Sequence, residues 1–436
     1  MTEILKTPLF QLPAFTANEL NRRALFITYG ASHIAKIAPV VRALQQEGVE
    51  CLVLALTIGY KRAIALGLNP LGYKDFMHLV EDPDDALMLG QNLLEGNTHP
   101  DVETYETLCY LGVNYQEWVN VLGAEGAAAL YAEKGRLAFM PLGFMRKVVQ
   151  WLQPGVVVAT STPRSEEAGV RAASLLGIPT LTMVDLFAPP SDPFLVRLAH
   201  ADRITVVSDQ VRDSFLEFGL SSEQVVVTGS PDFDALYDSA SIQAGLDFRQ
   251  RNGWQKFRVV LWAGILEPQS KALGKPSSEG SGVDFCVLVE QQLRKWVAGR
   301  GDVALIVRYH PSQYHQFPVQ PAQDRVYVSN SGAEPVTKLL HACDVVVNQI
   351  STVGFEAALL KKRVINLAFS AWMTDLDFDL SSLGPSEPAH SLDDLIDLLN
   401  SLAASQGSSK MTVPEGPAAP RVAAEILKLL KSEKRF

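Results

Sequence analysis

Two short stretches in the last third of the chain carry side chains that can hold a phosphate group. Arg308 and His310 end one apolar run, while Ser351 and Thr352 follow the apolar run 344–348. A serine or threonine at a helix start accepts hydrogen bonds from backbone N–H groups, and the same helix end favours an anion. Ligands of open α/β sheets collect where parallel strands end. The pattern therefore predicts a phosphate-binding corner, with an ordinary capped helix as the alternative.

Three side chains near the ends of strand-like runs in the first half of the chain can serve as a general base. They are His33, Glu166 and Asp185. An imidazole titrates near neutrality, and a helix N-terminus disfavours its cationic form, so His33 would stay able to accept a proton. The sequence leaves the choice among the three open. Arg164 is interpreted as a surface arginine, with steering of an anionic substrate as the alternative.

A metal ion is not expected at this site. Asp232 and Asp234 have Asp-x-Asp spacing, but they follow the turn 229–231 and are interpreted as helix-capping acids. His99 and the acidic residues after it match no strong metal-binding motif. The predicted chemistry needs neither a metal nor a cofactor.

Apolar runs of strand length alternate with helical patterns, which indicates parallel α/β structure. One series starts at Ala24 and a second at Arg258. Between Leu71 and Leu152 the apolar residues recur at helical spacing, which predicts a helical insertion. The segment Lys271 to Gly282 is interpreted as a surface insertion, with a lid as the alternative. The predicted divisions are a first domain over 1–235 with its insertion over about 71–152, a linker over 236–256, a second domain over 257–415 and a C-terminal helix over 416–436.

The composition is that of a soluble globular protein with more than one domain. The chain has 436 residues, of which 47% are hydrophobic and 20% charged, so one core is not expected. A net charge of −10 argues against a general nucleic-acid binder. No apolar run is long enough for a transmembrane segment. Four scattered cysteines favour a reducing compartment, so we predict a cytoplasmic protein and leave contact with the inner face of the membrane open.

The order of elements and their turns resembles the GT-B superfamily of nucleotide-sugar enzymes. The resemblance extends from Ala24 to about Leu430. It is carried by the segments Gly30 to Leu44, Val227 to Pro231, Arg308 to Pro311 and Ser351 to Glu356. It implies an α/β fold with two Rossmann-like, doubly wound domains facing a cleft and a helical insertion in the first. Within the superfamily, the chain most resembles the branch that contains UDP-N-acetylglucosamine 2-epimerase.

The His-Pro motif followed by a Ser/Thr turn is also similar to bacterial sialyltransferases and to capsule or teichoic-acid polymer transferases. Those enzymes use CMP- or CDP-activated donors. The similarity implies an inverting, metal-independent glycosyltransferase that moves a sugar from a nucleotide-sugar, such as a CMP-sugar or a UDP-sugar, onto a glycan or glycoconjugate acceptor. Glu356 resembles the position that contacts the ribose hydroxyls. The donor-binding residues implied are His310, Pro311, Ser351, Thr352, Glu356, Gly264, Gly30 and Arg308.

Departures from the epimerase pattern leave two alternatives. The epimerases have an arginine and an acidic residue after the first glycine, where this chain has Ser32 and His33. Their His-Arg-Arg-Glu segment is absent from Trp262 to Glu267. An epimerase with an altered site is therefore the second hypothesis, and a non-catalytic protein that binds a nucleotide-sugar is the third. The epimerase relatives also suggest a homodimer.

Overall fold

The structure, a computed structural model, describes residues 22–184, 200–267, 282–349, 351–374, 386–401 and 412–431. These residues form two compact units. The first unit contains the described residues up to Asp234 and those from Pro417 onward, and the second contains those from Ala235 to Gly416. The candidate base Asp185 and residues 271–281 of the predicted surface insertion lie outside the described residues.

The first unit is built on a parallel sheet of seven strands in the described part of the chain. Its strands are β1 (Arg23–Tyr29), β2 (Glu50–Leu56), β3 (Pro70–Leu71), β4 (Val156–Thr160), β5 (Thr180–Met183), β6 (Arg203–Val206) and β7 (Val225–Val227). Their order is β3-β2-β1-β4-β5-β6-β7, so the direction of winding reverses between β1 and β4. The two strands are adjacent and parallel, with Ala24 opposite Val156. In such sheets, ligands bind at the carboxyl ends of the two strands where the order reverses.

The helices of the first unit cover the sheet, and the predicted insertion lies between β3 and β4. The connecting helices are α1 (Ala31–Gln46), α2 (Ile58–Ala65), α6 (Ser165–Leu175) and α7 (Asp209–Glu217), and the insertion contains a 3₁₀ helix (Tyr73–Leu79), α3 (Pro83–Asn92), α4 (Thr104–Lys134) and α5 (Leu142–Leu152). The long helix α4 is interrupted at Gly123. The rings of Tyr115 and Tyr131, on opposite sides of the interruption, lie 5.9 Å apart, so the two parts of α4 fold back on each other.

The second unit has a parallel sheet of six strands in the described residues. They are β8 (Arg258–Gly264), β9 (Val303–Tyr309), β10 (Val326–Val328), β11 (Val345–Asn348), β12 (Arg363–Leu367) and β13 (Glu387–Ala389), in the order β10-β9-β8-β11-β12-β13. The helices of this unit are α8 (Ser239–Arg251), α9 (Gly282–Ala298), α10 (Val336–Ala342), α11 (Thr352–Leu359), α12 (Ala371–Thr374) and α13 (Leu392–Asn400). Winding reverses between β8 and β11. Two parallel, doubly wound sheets with a helical insertion in the first confirm the predicted α/β architecture.

The segment 236–256, which the sequence assigned to a linker, is largely occupied by helix α8. This helix packs on α10 within the second unit, because a Cβ atom added at Gly245 would lie only 2.4 Å from Cβ of His341. Among the residues of α8, only Gly245 and Phe248 are buried. The polar composition that suggested a linker is therefore the solvent-exposed side of a packed helix.

Helix α14 (Ala419–Lys431) returns to the first unit after the whole second unit. Its buried side chains join the hydrophobic cluster of β1, α1 and β4. The carboxylate of Asp234 accepts hydrogen bonds from the backbone N–H groups of Ala418 and Ala419, at 2.6 and 2.8 Å. Asp234 thus caps the start of α14, as predicted for a helix-capping acid.

Candidate active site

The candidate base His33 lies at the point of the first sheet where the strand order reverses. It is the third residue of α1, which begins directly after β1. Gly30 precedes this helix with φ +86°, in a region that favours glycine. The turn at Gly30 therefore holds His33 at the carboxyl end of β1, next to β4.

The Thr160 hydroxyl connects His33 with Glu166, and the Thr162 hydroxyl also contacts His33. His33 Nδ1 lies 2.9 Å from Oγ1 of Thr160 and 3.0 Å from Oγ1 of Thr162. The Thr160 hydroxyl lies 3.1 Å from Oε1 of Glu166, which is itself 3.9 Å from His33 Nδ1. The imidazole is thus oriented by hydroxyl and carboxylate oxygens on one ring nitrogen, an arrangement that suits a proton-accepting histidine.

Glu166 is completely buried in the first turn of α6. Burial raises the pKa of its carboxyl group, and the nearby His33 and Arg164 partly oppose that rise. Its second oxygen, Oε2, has no hydrogen-bond partner in the described part of the chain. A carboxyl group in this setting holds a proton more readily than an exposed one.

Arg164 was interpreted as a surface arginine, and the structure shows that this was wrong. Its side chain is 8% exposed and its guanidinium carbon lies 3.9 Å from the centroid of the Tyr29 ring. The residue directly precedes α6 with φ +81°, a conformation that costs a non-glycine residue roughly 1–3 kcal/mol. The sequence could not reveal this burial, because an arginine in a turn with two acidic neighbours is as common at a protein surface as in a buried site.

In the second unit, the predicted phosphate corner lies at the ends of three neighbouring strands. The backbone N–H of His310, after β9, donates to the carbonyl of Gly264 at the end of β8, at 3.0 Å. The side chain of Gln349, after β11, accepts from the backbone N–H of Ile265 and donates to its carbonyl, both at 2.8 Å. These hydrogen bonds connect the ends of the three strands at one edge of the sheet.

His310 and Pro311 are exposed at this edge. His310 Nδ1 lies 2.8 Å from Oγ of Ser312 and 3.3 Å from its backbone nitrogen, so the ring orders its own turn. This is the turn-capping role that is common for a histidine at a strand end. With Nδ1 engaged in this way, Nε2 is the ring nitrogen available for a ligand.

Ser351 caps helix α11, and Thr352 is the first residue of that helix. The Ser351 hydroxyl accepts a hydrogen bond from the backbone N–H of Val353 at 3.2 Å, while the Thr352 side chain is exposed. Gly354 lies against the buried Asn348, since a Cβ atom there would be 2.6 Å from Asn348 Nδ2. Close packing on β11 therefore fixes the start of α11.

Arg308 and Glu356 lie beneath the corner rather than at its surface. Arg308 is 7% exposed, and its Nη1 atom donates to Oγ of Ser329 at 2.9 Å. Burial lowers the pKa of its guanidinium group, while the charges of Glu334 and Glu356 oppose that shift. Arg308 is thereby committed to internal contacts. Glu356 is half-buried close to it.

The candidates thus fall into two sets, one in each unit. His33, Glu166 and Gly30 belong to the first, and His310, Pro311, Ser351, Thr352, Glu356, Gly264 and Arg308 belong to the second. Sequence reasoning did not single out Thr160 or Gln349 as site residues. One feature of the sequence could have indicated them. Each is a polar residue at the end of a buried strand, next to the point where the strand order of its sheet reverses.

Within the described residues, no group of three or more His, Cys, Asp and Glu side chains is placed to hold a metal ion. In the same part of the chain, no helix is both long and apolar enough to cross a membrane.

Solved structures similar to this chain share its fold at low sequence identity. The UDP-GlcNAc 2-epimerase from Neisseria meningitidis bound to UDP-GlcNAc matches with a TM-score of 0.56 and 12% identity, over 94% of this chain and 99% of the epimerase. The UDP-GlcNAc 2-epimerase of Methanocaldococcus jannaschii, in complex with UDP-GlcNAc and UDP, matches with a TM-score of 0.52 and 13% identity, over 93% of this chain and 99% of the epimerase. The wall teichoic acid polymerase TagF matches with a TM-score of 0.52 and 12% identity, over 95% of this chain and 90% of the polymerase. These similarities establish a GT-B-type fold and nothing finer.

The sequence itself matches a described family, although no curated protein is significantly similar to it. The family is described as CDP-Glycerol:Poly(glycerophosphate) glycerophosphotransferase, and the match covers residues 188–413, just over half of the chain. The matched segment includes the whole corner of His310 and Ser351, whereas His33 and Glu166 precede it. The chain therefore belongs to the CDP-glycerol:poly(glycerophosphate) glycerophosphotransferase family and is a transferase.

Proposed function

We propose that this protein transfers an alcohol phosphate, of the glycerophosphate type, from a CDP-activated donor to a hydroxyl group of a polymer acceptor. The observation that carries the proposal is the family match, because it covers the exposed His310 and the capped start of α11, at the ends of the two strands that flank β8. The family name describes transfer from CDP-glycerol, so the transferred group is a phosphate ester. A sugar, which the sequence led us to expect, becomes the alternative.

The donor-binding role falls to the second unit. The start of α11, where the helix dipole favours an anion, and the exposed Thr352 hydroxyl would bind the pyrophosphate. His310 would donate from Nε2 to a phosphate oxygen, because Nδ1 is used in its own turn. Glu356, half-buried in α11, would accept from the ribose hydroxyls. These residues would stabilise the leaving phosphate without a metal ion.

The transfer step needs a base, and His33 is the residue we assign. The acceptor oxygen bonds to the phosphorus that carries the alcohol, and the bond from that phosphorus to the bridging oxygen breaks. The electron pair of that bond leaves with CMP, and the acceptor proton passes to the imidazole of His33. Because Nδ1 faces the two threonine hydroxyls, Nε2 is the atom proposed to receive the proton. Glu166 would then stabilise the imidazolium.

Two alternatives keep some support. The fold shared with UDP-GlcNAc 2-epimerases supports a UDP-sugar enzyme, either a glycosyltransferase or an epimerase with an altered site. Epimerisation needs proton donors at positions where this chain has Ser161 and Ile265. A protein that binds a nucleotide-sugar without catalysis would keep the second-unit corner and make no use of His33.

The test is a calorimetric titration of the full chain with CDP, CMP, UDP, UMP and UDP-GlcNAc, first without metal and then with Mg²⁺. We expect CDP to bind about tenfold or more tightly than UDP, with no requirement for Mg²⁺. His310→Ala should weaken CDP binding about tenfold, the loss typical of a charge-assisted hydrogen bond. His315→Ala is the matched control, because this exposed histidine lies in the same loop outside the corner and should leave binding unchanged.

Each other outcome favours a named alternative. Preference for UDP or UDP-GlcNAc would replace the proposal with a UDP-sugar enzyme. Tight CDP binding without release of CMP in the presence of any glycerophosphate polymer would favour the non-catalytic protein. Absence of binding to all five nucleotides would refute a nucleotide-dependent function.

A further inference from the structure

Among the described residues, one buried cation beside the His33–Glu166 cluster, Arg164, has no ion pair. Arg164 is 8% exposed, and its Nε atom has no hydrogen-bond partner in the described part of the chain. No carboxylate of the described residues lies within ion-pair distance of it, and its guanidinium group stacks on the face of the Tyr29 ring. A buried guanidinium is normally paired, because removing it from water is costly. This arrangement therefore leaves room for an anion supplied from outside the protein.

Tyr110, from helix α4 of the insertion, carries a second group without a described partner, and the charge of Arg164 acts on it. It is 5% exposed, and its hydroxyl has no hydrogen-bond partner among the residues that the structure describes. Its ring lies 6.5 Å from that of Tyr29, on which Arg164 stacks. Burial raises the pKa of Tyr110, and the charges that act on its hydroxyl include the cations Arg164 and Arg136. The hydroxyl thus stays protonated and can donate.

The carboxyl group of Glu166 acts on the Tyr110 hydroxyl, and its burial weakens its opposition to an anion. Its Oε1 atom faces the Thr160 hydroxyl and His33. Complete burial makes the neutral form easier to populate than in water. The charges of Arg164 and Arg136 both act on the Tyr110 hydroxyl, and Arg164 also acts on Glu166, so the local balance favours a negatively charged ligand.

We propose that Arg164 and the Tyr110 hydroxyl form a subsite that binds a phosphate group of the acceptor. The planar fork of an arginine matches two phosphate oxygens, and a tyrosine hydroxyl can donate to a third. Arg164 directly precedes α6, whose first turn holds Glu166, so a phosphate bound there lies beside the proposed base. The inference rests on the proposed function, and it adds that the acceptor is recognised through its own phosphate before its hydroxyl reacts.

The test measures binding of sn-glycerol 3-phosphate, glycerol and inorganic phosphate to the full chain, without donor or turnover. We expect glycerol phosphate to bind several-fold more tightly than inorganic phosphate, and glycerol not at all. Arg164→Gln should weaken glycerol phosphate binding about tenfold or more, and Tyr110→Phe about three- to tenfold. CDP binding, measured in parallel, should be unchanged in both variants, because its proposed site is in the second unit.

Two controls keep the outcomes distinct. Arg171→Gln removes a cation from α6, the helix that follows Arg164. Arg171 is paired with Glu167, so this variant should leave glycerol phosphate binding unchanged. Tyr110→Phe keeps the ring packing and deletes a hydroxyl without a described partner, so it tests the subsite if Arg164→Gln proves unstable.

Unchanged affinity in Tyr110→Phe and Arg164→Gln, or equal loss in Arg171→Gln, would overturn the subsite. Equal affinity for inorganic phosphate would show that free phosphate, rather than an acceptor group, is the ligand, and would overturn the acceptor assignment. Loss of glycerol phosphate binding with CDP binding intact supports the subsite. A chain that binds glycerol phosphate through Arg164 but no CDP would refute the proposed function and leave the subsite standing.

Discussion

His33 and Glu166 are close together, yet their surroundings affect a proton in different ways. The imidazole is 14% exposed and faces two hydroxyls, so it can exchange a proton with a substrate. The carboxyl group is completely buried, so we propose that it orients and stabilises that imidazole. A carboxylate commonly orients a histidine that acts as a general base, because it holds the imidazole in the tautomer that can accept the proton.

Replacing His33 with glutamine separates catalysis from donor binding. His33→Gln keeps a polar group beside Thr160 and Thr162 but removes the proton acceptor. We expect the rate of CMP release in the presence of acceptor to fall about 10²–10⁴-fold, the usual contribution of a general base. CDP affinity, measured by calorimetry, should stay the same because the donor residues lie in the second unit.

The control for this variant is Thr162→Val, which removes one of the two hydroxyls at Nδ1 and leaves the base itself. It should lower the rate only a few-fold, because Thr160 still orients the ring. A His33→Gln protein with normal turnover would exclude His33 as the base, and Glu166 and Asp185 would then remain of the original three candidates.

At the scale of single residues, the sequence predicted which chemical groups stand near one another but not how buried they are. His33 and Glu166 were chosen because each follows a strand, and parallel strands end at one edge. Arg164 was misinterpreted because its burial depends on residues far away in sequence, such as Tyr29, on whose ring its guanidinium stacks. Exposure of a turn residue is decided by such distant contacts.

At the scale of secondary-structure elements, the start of α11 depends on close contact with β11. Gly354 lies where a side chain would meet the amide of Asn348, which is buried and donates to Asn366 at 2.8 Å. Gly354→Ala should therefore move the helix start away from the strand or displace Asn348. Overpacking of this kind typically costs about 1–3 kcal/mol. We expect a lower free energy of unfolding and, since Ser351 and Thr352 move with the helix, several-fold weaker CDP binding.

Urea unfolding and calorimetry on the same variant measure both effects. Gly301→Ala is the matched control, because no atom lies within 4 Å of an added Cβ there and the residue is exposed. Its stability and CDP affinity should equal those of the parent protein. If Gly354→Ala behaved like Gly301→Ala, the start of α11 would not be fixed by contact with β11.

Long apolar runs made most secondary-structure elements predictable from the sequence. The elements that the sequence did not predict have weak apolar patterns. The strands from Arg258 and Val303 were predicted because Val, Ile and Leu fill both faces of a buried parallel strand. Helix α8 was missed because it buries only Gly245 and Phe248, too few for a visible period. Strand β13, Glu387–Ala389, is three residues long and contains a proline, so no local pattern indicates it.

At the scale of the whole molecule, the first unit is discontinuous in sequence. Helix α14 supplies Val422, Ile426 and Leu429 to the cluster around β1 and α1, although the complete second unit lies between them in the chain. Burial of such side chains contributes roughly 1.5–3 kcal/mol each. The three together are comparable with the roughly 5–15 kcal/mol that holds a whole domain folded. The helical pattern of α14 was predictable, but its partner was not, because periodicity shows an apolar face without showing what covers it.

This discontinuity predicts the behaviour of fragments. A fragment of residues 1–234 should unfold without a cooperative transition or aggregate, because the apolar groove for α14 is open. Joining residues 417–436 to it through a short Gly-Ser linker should restore a cooperative thermal transition by circular dichroism. The join is geometrically feasible, since the Asp234 carboxylate lies 2.6 Å from the backbone nitrogen of Ala418. The same joined fragment with Ile426→Asp should lose the transition, because it buries a charge at a fully buried position. Equal stability of the fragment with and without α14 would mean that the first unit folds from residues 1–234 alone, and that the C-terminal helix is an attachment rather than part of its core.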